Sequence, residues 1–144
     1  MTIPPLSFKV ISQEEVDREN AETPKLLENA VGDNFRFCQM KLGCVTPRSE
    51  AEKKRWLSDT KKIQQLERDW TEIKCLKDLV SKEDFVNRID TLIKNLTIFR
   101  DARKSLFEET PIIGSPRDPD NSRRFYELQA INSIIQTATK FKES

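Results

Sequence analysis

Residues 48–110 contain neither glycine nor proline, and their apolar side chains recur three and four apart. Trp56, Ile63, Leu66, Trp70, Ile73 and Val80 follow one another at intervals of 7, 3, 4, 3 and 7. That is the period of an α-helix, not the alternation of a strand. Ser49 and Glu52 have the spacing of a capping box, so a helix is predicted from about Ser49 to Leu79. Ser81 and Asp84 can cap a second helix carrying Phe85, Ile89, Leu92, Ile93, Leu96 and Phe99. Ala102, Leu106 and Phe107 extend it or form a third short piece ending before Pro111.

The ends of the chain are less regular. Residues 110–122, TPIIGSPRDPDNS, read as a loop in which Ile112 and Ile113 are pinned to the core. A last helix is expected from about Ser122 to Lys142, with Phe125, Leu128, Ile131, Ile134, Ile135, Ala138 and Phe141 inward. Upstream, Ser12 and Glu15 have capping spacing, and Thr23-Pro24 can start a short helix through Leu26, Leu27, Ala30 and Val31 that Gly32 would stop. Phe35, Phe37, Cys38, Met40 and Leu42 form an apolar patch suited to docking on the bundle. The expectation is an all-α chain. Residues 46–144 form a compact bundle of four to five helices, and 1–45 form an N-terminal extension of short helices, partly disordered.

Composition narrows the chemistry. The chain has 144 residues, 34% of them charged and 36% hydrophobic, so amphipathic helices fit better than a deep, wide core. Its net charge is +1, which gives no global field to attract nucleic acid or a membrane surface. Histidine is absent and the three cysteines, Cys38, Cys44 and Cys75, form no C-x-x-C, which disfavours zinc and Cys-His catalysis. The three glycines build no phosphate-binding loop. No catalytic residue, cofactor, metal or small-molecule substrate is therefore expected. With no signal segment and no long apolar run, the chain reads as soluble, nuclear or cytoplasmic.

Two features invite a binding reading. Lys53, Lys54, Arg55, Lys61 and Lys62 cluster early in the first long helix, as the wet face of that helix or a phosphate contact. Trp56 and Trp70 share one stripe, as core residues or exposed anchors.

The part from residue 56 to 143 resembles the integrase-binding domain family of lens-epithelium-derived growth factor, and the related N-terminal domain of elongation factor TFIIS. The likeness rests on helix order, Glu72-Ile73-Lys74 before the first turn, an L-x-x-L-like second helix, Thr110-Pro111-Ile112 before a loop, and Arg123-Arg124-Phe125 opening a helix that ends in Phe141-Lys142. The resemblance implies a bundle of helical hairpins, nuclear by association with transcription or chromatin, that captures short peptides on two interhelical loops at one end. Carried over by position, the partner-binding residues are Val80, Ser81, Asp84, Phe125 and Glu127, lining an apolar cleft between residues 80–84 and Phe125. Val80-Ser81 departs from the family's Ile-Asp pair, and Glu127 stands where the family is apolar. The expected function is a protein-protein interaction module for a peptide or helix. The alternative is a coiled-coil-type subunit of a larger assembly, using residues 49–79.

Overall fold

The computed structural model describes residues 13–110 and 119–143, with side chains from residue 24 onward. Four helices account for nearly all of it: α1 Gln13–Gly43, α2 Glu50–Leu76, α3 Lys82–Glu109 and α4 Pro119–Glu143. No strand occurs among the described residues.

The starts of α2 and α3 follow from their caps. Ser49 Oγ accepts the Glu52 amide at 3.1 Å, and the Glu52 carboxylate accepts the Arg48 amide at 2.7 Å. Ser81 Oγ accepts the Asp84 amide at 3.1 Å. The two serine bonds each satisfy an amide that the first helical turn leaves without a partner, and the Glu52 bond fixes the residue before the cap. α2 stops at Leu76, where Leu79 and Val80 fold their amides back onto the Leu76 carbonyl. α3 is one helix, not two pieces, and closes where Thr110 donates its amide to Leu106 O at 3.0 Å.

Cross-helix bonds give the order and direction of packing. Trp56 Nε1 donates to Leu42 O at 2.9 Å, which ties the end of α1 to the start of α2. Arg124 Nη1 donates to Thr110 O at 2.6 Å, and Lys142 Nζ reaches Asp90 Oδ1 at 2.9 Å, so α4 runs back along α3. α4 also lies along α1, its most extensive neighbour, and closes the ring α1–α2–α3–α4 with antiparallel neighbours. The core runs down the centre. Val31, Phe35, Cys38 and Leu42 come from α1, Ile63, Leu66, Trp70 and Ile73 from α2, and Phe85, Ile89, Leu92, Leu96 and Phe99 from α3. α4 adds Ala130, Ile131, Ile134, Ala138 and Phe141. At the end carrying the α2–α3 turn, Phe141 meets Trp70 edge-on with ring centroids 5.1 Å apart.

Four sequence expectations are corrected. Residues 24–43 are not separate short helices of an extension: they belong to one helix, α1, packed along α4. Gly32 does not end the helix, because Val31, Phe35, Cys38 and Leu42 continue a buried stripe across it. Burying each large apolar side chain contributes about 1.5–3 kcal/mol, against a glycine cost of about 1 kcal/mol. Phe125 does not face inward; 63% of it is exposed. α4 begins at Pro119, earlier than Ser122, with proline in the first turn where its missing amide costs nothing. Ile112 and Ile113, and the cap at Ser12, lie outside the described residues.

Candidate functional site

One residue in each of three core stripes is charged. Asp59 precedes Ile63, Leu66, Trp70 and Ile73 on α2, and Arg103 follows Phe99 on α3. Glu127 precedes Ile131, Ile134, Ala138 and Phe141 on α4. All three are buried, and the antiparallel packing brings them into one layer at the end that holds the start of α4. Arg103 grips Glu127 with a fork, Nε to Oε1 at 2.5 Å and Nη2 to Oε2 at 3.0 Å. Its third nitrogen, Nη1, donates to Asp59 Oδ2 at 2.8 Å. Arg123 Nη1 adds a bond to Glu127 Oε2 at 3.0 Å, and Arg55 Nε adds one to Asp59 Oδ2 at 3.1 Å.

The electrostatics follow from that geometry. Burial pulls the Arg103 pKa down, but the hydrogen bond and charge of Glu127, with those of Asp59, raise it above its ordinary value overall. Burial, aided by the charge of Glu127 and opposed by Arg103, pushes the Cys38 thiol up to about 12. Cys38 is therefore a protonated, inert core residue near neutral pH.

The layer holds the first turns of α4 against α3. Phe107 lies between two guanidinium groups, with Arg103 4.9 Å and Arg124 4.8 Å from its ring centroid. Arg124 also caps the open carbonyls at the end of α3 through Thr110 O. With Glu127 turned inward and Arg124 turned toward α3, Phe125 and Tyr126 are left on the outside.

These two rings stand edge to face, 5.4 Å apart at 75°. Tyr126 is 43% exposed. Lys41 Nζ sits 5.4 Å from the Tyr126 ring and 5.2 Å from the Phe37 ring, joining α4 to α1. Met40, 55% exposed, shares that face of α1 with Phe37 three residues earlier. Lys41 thus links Phe37 to Tyr126 across the α1–α4 seam, with Phe125 against Tyr126 and Met40 exposed one turn on from Phe37. No ion-pair partner of Lys41 exists among the described residues.

The residues expected to bind a partner do not come together. Val80 packs partly against the core, Ser81 is the α3 cap, and Asp84 pairs with Arg88 at 3.0 Å. All three lie at one end of α3, while Phe125 lies beside its other end. The 28 residues of α3 separate them by about 40 Å, so no cleft between residues 80–84 and Phe125 is formed. Glu127 is 0% exposed and cannot contact a partner in this state, because Arg103 and Arg123 hold it inside. Of the apolar patch at residues 35–42, Phe35, Cys38 and Leu42 dock on the bundle, while Phe37 and Met40 stay exposed, as does Tyr126. Their signal was apolar bulk off the core stripe, beside helix positions that are buried.

No family model matches this chain, and no curated protein or solved structure matches it. Among the described residues no cluster of Cys, Asp and Glu is arranged to hold a metal ion, and no helix is long and apolar enough to cross a membrane.

Proposed function

We propose that the chain is a non-catalytic helical interaction module that captures a short peptide or helix of a partner protein on the α1–α4 face. The observation carrying this reading is the exposed group Phe37, Met40, Phe125 and Tyr126, mounted on the most extensively packed helix pair. Exposed aromatic side chains on a rigid frame lose little entropy on contact and bury much apolar area, and methionine adapts its shape to a partner, which is the composition of interface anchors. The absence of histidine and the inert state of Cys38 support a role without covalent chemistry. On the resemblance of residues 56–143, the partner belongs to the transcription or chromatin machinery and the setting is nuclear. The face differs from the two-loop arrangement of that family, because its anchors come from helix surfaces.

The coiled-coil-subunit reading has less support. Ile63, Leu66, Trp70 and Ile73, the stripe it needs, are buried inside the chain's own bundle. The test is a pull-down with the purified chain and with Phe125→Ala/Tyr126→Ala. The double variant should lose partners held by the parent while keeping its thermal melt, since both rings are largely outside. Full retention of those partners would overturn the reading. Leu79→Ala, a change at the opposite end, is the control that should retain them.

A further inference from the structure

α2 and α3 approach each other less extensively than α1 and α4 do. A hollow of about 270 Å³ opens along the α2–α3 seam, with the buried side chains Leu66 and Phe99 in its floor and Asn95, Ala102 and Ile98 on the α3 rim. It continues past Asp69 and Asn95 into a second hollow of about 260 Å³ that reaches Glu72 and Arg88. The two together follow α3 from Arg88 to Ala102, roughly 20 Å or four helical turns. Ile98 is 58% exposed, although it stands at the edge of an apolar floor.

The α2 rim is cationic at one end. Lys62 lines the first hollow and has no ion-pair partner among the described residues. Arg55, seven residues earlier and so on the same face, bridges the seam to Ala102 O at 3.4 Å. Between Glu52 and Glu67 the only carboxylate on α2 is Asp59, which is buried. Toward the other end the rim changes sign, with Asp69 and Glu72 on α2.

We propose that the α2–α3 groove docks an amphipathic helix of a partner protein, its apolar stripe covering Ile98 and its flank acidic where it passes Arg55 and Lys62. An apolar floor gains from burying aliphatic side chains and offers nothing to phosphates, which favours a protein helix over nucleic acid. The sign change along the rim gives the docked helix a direction, with its carboxylates at the Lys62 end. This surface is separate from the Phe125 face, so the chain can hold two partners at once.

The probe is a synthetic amphipathic peptide of about 18 residues, long enough to span the groove, with leucine on one stripe and glutamate on its flank. A scrambled peptide of the same composition and a DNA duplex are the comparators. Binding to the full chain is read by fluorescence anisotropy and mapped by amide chemical shifts. The expected result is shifts along residues 62–73 and 88–102, weaker binding as salt rises, and at least about tenfold weaker binding to Ile98→Glu and to Lys62→Glu. Phe125→Ala should bind the probe unchanged, which separates this test from that of the α1–α4 face. No binding, equal binding of the scrambled peptide, tighter binding of the duplex, or indifference to Ile98→Glu would each overturn the proposal.

Discussion

Arg103 and Glu127 meet through two hydrogen bonds inside an otherwise apolar bundle, joining the last turns of α3 to the first turns of α4. The same guanidinium reaches Asp59 on α2, so one side chain ties three helices into register. Apolar stripes can slide past one another by a turn at modest cost; a buried ion with two fixed partners cannot.

Replacing Arg103 by Ala leaves two buried carboxylates with only Arg55 and Arg123 beside them, and should destabilise the chain by about 3 kcal/mol. Replacing Asp59, Arg103 and Glu127 together by leucine, methionine and leucine should cost less, because the three fully buried charges go together while Arg123 keeps Asp120 at 3.7 Å and Arg55 reaches solvent. Urea unfolding of the two variants checks this. Equal losses in both would show that the layer acts by packing alone.

Cys38 makes stability depend on alkaline pH. Its thiol ionises near 9.0 when free and near 12 when folded, so the folded state holds the proton more tightly. The stabilisation is fully present below pH 9 and is lost as pH rises from 9 toward 12, on the order of 1 kcal/mol per pH unit. The loss should be absent in Cys38→Ala relative to its own value at pH 8, measured by denaturant melts across that range. At pH 8 a thiol reagent should modify the exposed Cys44 and Cys75 quickly and Cys38 only on unfolding.

Gly32→Ala should stabilise the chain by about 0.5–1 kcal/mol. A Cβ at that position meets only Arg36 Nη2, at 3.7 Å, which is ordinary contact at the tip of a flexible side chain. A rise in melting temperature is the expected readout. A fall would mean that residue 32 breaks α1 after all.

Ser81→Ala should cost about 1 kcal/mol through loss of the α3 cap. Because Ser81 lies far from Phe125, partner capture by the α1–α4 face should survive the change at temperatures where the chain stays folded. Loss of capture in a folded Ser81→Ala variant would return the α2–α3 turn to the binding site.

Much of α2 and α3 was legible in the sequence, because capping serines and an uninterrupted three-four stripe are local signals. α1 was less so. Thr23-Pro24 and Gly32 look like punctuation, and only the buried face of α4 decides that the helix runs through them. Phe125 was ambiguous for a related reason: it lies two residues before Glu127, and the helix turns it outward once Glu127 is inward. The inward glutamate was hard to read, since a carboxylate is ordinarily left to water. Its clue was spacing, for Asp59, Arg103 and Glu127 each sit four residues from an apolar stripe residue, with opposite signs available to pair. Which acid meets which base depends on three helices packing together, and that information is not local.

The most direct test of the capture face is photo-crosslinking of the full chain in cells, with a benzophenone side chain placed at Phe125 or, as a control, at Leu79. Both positions are exposed, at opposite ends of the bundle. The account predicts discrete crosslinked partners from position 125 and none of the same partners from position 79. Crosslinks confined to position 79, or none from position 125 in a folded chain, would contradict it.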